Sequence, residues 1–162
     1  ANPEYLISQT DEVWIRNGRR VNPKKYHQKQ NGEIFYLSLD RCLISPSSVL
    51  LSRRLFDEVG LFDPSLPACE DYDLWLRITA RHLVGLVPEK LIIKTGGHAD
   101  QLSRKYWGMD RFRVKSIMKL LRSGDLTKAQ YQAALDVCEK KVVILKNGAA
   151  KRRHVALQRD SS

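Results

Sequence analysis

Residues 61–79 read LFDPSLPACEDYDLWLRIT. Three acids, Glu70, Asp71 and Asp73, run straight into Leu74, Trp75, Leu76 and Ile78. That pattern predicts a helix opening at Glu70 and reaching about His82. Acids in the first turn of a helix meet the positive end of its dipole and its unpaired N–H groups, so helix-start chemistry alone explains most such pairs. The same location favours an ionised carboxylate, and an ionised Asp at the mouth of a cleft accepts a proton from a hydroxyl. The local pattern leaves both readings open.

Working outward, "SPSSVLL" reads as a turn into a short strand over 47–51, and Ser52 as the cap of a short helix that Gly60 ends. Further upstream, the apolar runs around Asn17-Gly18 predict strands at 5–10 and 12–16 with a short return, because Asn-Gly favours a tight hairpin turn. "NPKKYHQKQNG" reads as an exposed polar loop. In "EIFYLSLDRCLI" the recurrence of Phe35, Leu39, Cys42 and Leu43 favours helix over strand. Downstream, "LVGLVPEKLIIK" predicts two strand segments parted by Pro88, spanning 84–94, and "TGGHADQLS" a loop. The remainder reads as helical. Trp107, Val114, Met118 and Leu121 form one stripe, with Ile117 beside it. Ser123-Gly124 breaks it, Thr127 and Gln130 match a capping box, and Tyr131, Leu135, Cys138, Val142 and Leu145 continue to Asn147-Gly148.

The chain has 162 residues, enough to bury a core, and 43% hydrophobic with 28% charged residues is ordinary for a globular domain. No apolar run approaches the length of a membrane-spanning helix. Cys42, Cys69 and Cys138 are odd in number and widely spaced, so they read as reduced thiols rather than a disulfide or zinc framework. Residues 1–100 carry 13 basic and 13 acidic side chains, while 101–162 carry 15 and 5; the second part thus holds the whole net charge of +10. A basic tail on a neutral body favours anionic partners. The start at Ala1 rather than Met is expected of a processed chain or a piece of a longer one.

The order of motifs adds to this reading. Ser47-Ser48-Val49, Arg53-Arg54, Val59-Gly60, Phe62-Asp63, Glu70-Asp71, Leu74-Trp75 and Arg77 follow one another as in the second half of family-two glycosyltransferases, which the chain resembles over about residues 5–105. Downstream, His98 and Ser103 resemble the family's His followed by a Ser. The resemblance implies an α/β chain: a partial GT-A-type nucleotide-diphospho-sugar transferase fold over 1–105, with a basic helical C-terminal extension over 106–162.

It also implies roles. Asp71 would be the general base that takes the proton of an acceptor hydroxyl, while the oxygen attacks the anomeric carbon of a nucleotide-activated sugar and inverts it. Glu70 would orient the loop or bind acceptor hydroxyls. His98 would help hold a divalent metal (Mg or Mn, in the complete enzyme) or the diphosphate, and Arg104 with Lys105 would neutralise phosphate. Asp71-Tyr72-Asp73 spells D-x-D, yet the family's metal motif ends a strand well before this helix, so Asp73 reads as a decoy. The family's donor-binding strands and true D-x-D are absent from these residues, so the isolated chain is expected to be inactive and, lacking those strands, to self-associate through an exposed apolar edge.

The expected partners are a nucleotide-sugar donor and a saccharide or glycolipid acceptor, in the cytoplasm and at the inner face of the membrane, where a basic patch meets anionic lipid. The competing reading is a non-catalytic basic module gripping an anionic membrane or nucleic acid. Nucleic acid is disfavoured: the segment has no zinc pattern, RNP-like motif or clear recognition helix.

Overall fold

The computed structural model describes residues 2–23, 25–96, 105, 106 and 108–160. It is a mixed α/β chain; among the described residues a small sheet and five α-helices share two apolar clusters. Strand β1 (Ile7–Arg16) is the centre of the sheet. Along one edge it pairs in parallel with β4 (Val84–Gly96), from Ile7↔Val84 to Arg16↔Gly96. Its other edge carries two short antiparallel partners, β2 (Arg19–Val21) and β3 (Val49–Leu51).

The β1–β2 turn has Asn17 at φ 51° and Gly18 at φ 73°, the double positive-φ geometry that Asn-Gly supplies most readily. The two strands expected over 5–16 are one. The two expected around Pro88 are also one, because the pairing register slips there: Thr10 faces Val87 and Asp11 faces Lys90. Pro88 cannot donate to a ladder, and an irregularity absorbs it without ending the strand.

The helices are α1 (Phe35–Asp40), α2 (Arg54–Val59), α3 (Glu70–Thr79), α4 (Asp110–Arg122) and α5 (Lys128–Asp160). Helix α3 is buried on two sides. Tyr72 and Leu76 enter one cluster with Phe35, Leu39, Ile117 and Cys138, while Leu74, Trp75 and Ile78 enter the other with Ile7, Leu55 and Val84. Hence every residue after Asp71 in that helix except Arg77 is buried. The two C-terminal helices pack through the first cluster, so the basic third shares a core with α1 and α3.

Several local expectations need correction. Ser52 does not cap α2 with its side chain; Arg53 holds the cap position, and only the Ser52 carbonyl takes part, accepting from Leu55 N at 3.1 Å. The fully buried residues of α4 are Ser116, Ile117 and Leu120; of the expected stripe, Val114 and Leu121 pack half-buried against the same cluster, Met118 is exposed, and Trp107 lies outside the described residues. Helix α5 continues through Asn147-Gly148 to Asp160, since helix interiors tolerate a glycine at a cost of about 1 kcal/mol. The capping box is present: Thr127 N donates to Gln130 Oε1 at 3.0 Å and Gln130 N to Thr127 Oγ1 at 3.2 Å. Among the described residues, no helix is long and apolar enough to cross a membrane. Leu50, Leu91 and Ile93 are strongly exposed on the sheet.

The loop between β2 and α1 differs most from expectation. It is not simply an exposed polar loop, because Lys29 turns inward and pairs with Glu12 at 2.7 Å, both side chains buried. Ser45 Oγ donates to the same carboxylate at 2.6 Å, and Lys94 Nζ lies 3.8 Å away. Burial opposes ionisation of Glu12, but the bonds from Lys29 and Ser45 outweigh it and hold the carboxyl below its usual value. Burial likewise lowers Lys29, against the pull of Glu12.

Asp110 follows the same logic: burial opposes its charge, and Arg113 and Lys141 hold it low. Hydrogen bonds from Ser65 and Lys119 depress Asp63. A carboxylate lowered in the folded state contributes stability that is complete above its unfolded value and is lost as pH falls through the folded one. The melting temperature should therefore be level between neutrality and about pH 5 and fall below about pH 4, where carboxylates begin to protonate. Thermal melts across that range check it, and an unchanged midpoint in the acid arm would contradict it.

Candidate active site

The N-terminus of α3 is placed by an unusual residue. Cys69, which precedes Glu70, is buried and adopts the left-handed region at φ 63°. A non-glycine residue there is uncommon and costs free energy that surrounding packing must offset. The turn redirects the chain so that Glu70 and Asp71 stand half-buried at the helix start while Tyr72 and Asp73 point into the protein.

Asp71 Oδ1 accepts from the backbone N of Tyr72 at 2.7 Å. Its Oδ2 faces Cys42, whose thiol Sγ lies 3.5 Å away and also 3.2 Å from the Ile44 carbonyl. Burial, and then the Asp71 carboxylate, push the Cys42 thiol far above its ordinary value, so it stays protonated as a weak donor. Burial raises Cys69 to about 11, so it too is a thiol at neutral pH. Positive charge reaches this region from Arg113, which opposes the shifts of both thiols and lies 5.9 Å over the Tyr72 ring.

Cys42 reaches Asp71 because the end of α1 is pinned. Tyr72 Oη donates to the Leu39 carbonyl at 2.6 Å, and Lys141 Nζ to the Asp40 carbonyl at 2.9 Å. The last carbonyls of a helix need such partners when they are buried. Lys141 also pairs with Asp110 at 3.2 Å, and Asp110 with Arg113 at 2.9 Å, so α4 and α5 are tied into the same framework.

Asp73 is engaged differently. Its Oδ2 accepts from Arg77 Nε and Nη2 at 3.1 and 2.9 Å and from Lys119 Nζ at 2.8 Å. Lys119 also pairs with Asp63 at 2.9 Å, while Arg77 donates to the Leu61 carbonyl at 2.9 Å and to that of Val59. The Val59-Gly60 and Phe62-Asp63 segment is thereby fastened to α3. Gly60 at φ 80° makes that turn and stops α2, its N–H bonding the Phe56 carbonyl at 3.0 Å.

Of the residues expected at the site, Glu70 and Asp71 stand together at the helix start. His98 and Arg104 lie outside the described residues. Lys105 Nζ is 5.5 Å from the Tyr106 ring. Among the described residues no group of three or more His, Cys, Asp or Glu is arranged to hold a metal ion, and Asp73 is committed to two cations. His98, on which the resemblance places the divalent metal, lies outside the described residues, and no step is derived through a metal. Sequence reasoning missed Cys42 and Arg113 as neighbours of this site. Cys42 is 29 residues from Asp71, and no short-range spacing signals the contact.

No family model matches the chain, and no solved structure matches it. It is similar to segments of bacterial proteins that bear the description "uncharacterized glycosyltransferase". One from Rickettsia bellii is 35% identical over 108 residues, covering 64% of this chain and 15% of that protein. A Rickettsia felis protein is 39% identical over 90 residues, covering 54% and 14%. A third, from Rickettsia prowazekii, is 32% identical over 81 residues, covering 50% and 25%. The chain therefore spans a quarter or less of the length of these relatives. The similarity is thus to a segment of proteins described as glycosyltransferases.

Proposed function

We propose that this chain forms the acceptor side of an inverting family-two glycosyltransferase of GT-A fold, with Asp71 as general base. The observation that carries the reading is the setting of Asp71: half-buried at the N-terminus of a doubly buried helix, one oxygen held by the backbone and the other against a neutral thiol. Such a carboxylate is fixed in place yet keeps acceptor capacity, since a protonated thiol competes only weakly for it.

In the proposed reaction an acceptor hydroxyl of a saccharide or lipid-linked acceptor gives its proton to Asp71. Its oxygen forms the new bond to the anomeric carbon of a nucleotide-sugar donor as the bond to the diphosphate breaks. Glu70 orients the acceptor or its loop. The donor site would be supplied by sequence outside residues 1–162, with His98 and Arg104 on the diphosphate side and a divalent metal held there. The basic C-terminal helix would lie toward the anionic inner leaflet of the membrane, where a lipid-linked acceptor is found.

A single displacement inverts configuration. With both halves present in one protein, NMR of the newly formed linkage should show an anomeric configuration opposite to that of the donor. Retention would overturn the single-base reading.

A further inference from the structure

The ion pair of Glu12 with Lys29 has no part in the proposed chemistry, although burying two charges is costly unless they are well partnered. Its consequence lies in what flanks it. Lys29 turns inward, so its neighbours Gln28 and Gln30 turn outward. A second tie secures the same segment: Gln9, fully buried, donates through Nε2 to the Gln30 carbonyl at 3.0 Å. A polar loop is thereby stapled to the sheet and held opposite the outer face of α1. Between them runs a groove of about 240 Å³ lined by Tyr26, Gln28, Gln30, Tyr36, Asp40 and Arg41.

The lining has a definite chemistry. Tyr26 and Tyr36 are half-exposed aromatic rings, one on each wall. Arg41 stacks over Tyr26 with its guanidinium carbon 4.6 Å from the ring centre, and it pairs with Asp40. That pair leaves the lining without net charge, which disfavours a phosphate or nucleotide. The Tyr36 ring, with Tyr26 covered by Arg41 opposite it, stands beside planar amides and a paired carboxylate, and this suits a ligand with an apolar C–H face and a rim of hydroxyls, that is, a sugar ring. The groove is smaller than the usual small-molecule clefts of about 300–1,000 Å³, which matches a short saccharide unit better than a bulky cofactor. Arg41 and Leu43 line it, while Cys42 between them turns the other way to Asp71.

We infer that this groove is a subsite for a neutral saccharide; its role in holding the acceptor rests on the transferase reading above. The test is ligand-observed NMR of the 162-residue chain with a panel of neutral oligosaccharides, trimers of glucose, galactose and N-acetylhexosamines. At least one should bind. Tyr26→Ala and Tyr36→Ala should each weaken it about tenfold or more, and Tyr36→Phe should weaken it less. Circular dichroism confirms that each variant folds. Failure of the whole panel to bind, or binding that survives both alanine substitutions, overturns the subsite. In a transferase with both halves, Tyr36→Ala should raise KM for the acceptor while kcat is kept. If Tyr36→Ala leaves KM unchanged and Asp71→Asn still abolishes transfer, the subsite fails and the base reading stands. If transfer survives Asp71→Asn while saccharide binding is lost on Tyr36→Ala, the reverse holds.

Discussion

Arg77→Ala is expected to lower the free energy of unfolding by about 3–5 kcal/mol, the usual result of removing one partner from a buried ion pair. Asp73 is only 1% exposed at its side chain and would lose the two bonds that Arg77 gives it at 2.9 and 3.1 Å. Lys119 would remain on it, but that side chain is 41% exposed and shared with Asp63. The carbonyls of Val59, Gly60 and Leu61 would lose their donor in the same step. Set against a typical domain stability of about 5–15 kcal/mol, the loss is large. Arg77→Lys should fall between wild type and alanine, because an ammonium cannot fork across a carboxylate and three carbonyls. Urea denaturation measures the difference. A loss of less than about 1 kcal/mol for Arg77→Ala would mean that the salt bridge is not what joins the Gly60 turn to α3.

The features readable in the sequence are those set by local chemistry. Asn17-Gly18 could be read as a tight turn because few other dipeptides accept two positive φ values. Thr127 and Gln130 could be read as a capping box because both partners lie within one turn. The start of α3 was legible for the same reason, and the order of motifs around it pointed to the transferase type.

Features that depend on distant partners were not legible. Nothing local marks Lys29 as buried, since its partner Glu12 sits on strand β1 and the surrounding residues are polar. Ser52 looked like a helix cap by residue type, whereas the chain enters α2 through Arg53. In α4, Met118 and Ile117 are adjacent candidates for the core, and only the packing against α3 and α5 selects Ile117. The contact of Cys42 with Asp71 depends on how Tyr72 and Lys141 hold the end of α1, which involves three separate elements.

For the proposed transferase, Asp71→Asn should keep the fold and lower the rate of sugar transfer by on the order of 10²–10⁴-fold, the usual cost of losing a general base. The amide is nearly the same shape and can still accept from the Tyr72 N–H. It cannot take a proton from an incoming hydroxyl. Glu70→Gln should do less harm, because Glu70 is assigned to orientation only. Asp73→Asn should act mainly on stability, since its carboxylate is held by Arg77 and Lys119, and should leave turnover per folded molecule closest to normal. Single-turnover transfer by these three variants, with both halves of the enzyme present and folding verified by circular dichroism, is the measurement that bears most directly on the account. Loss confined mainly to Asp71→Asn is the predicted result. A folded Asp71→Asn enzyme with near-normal turnover would contradict it.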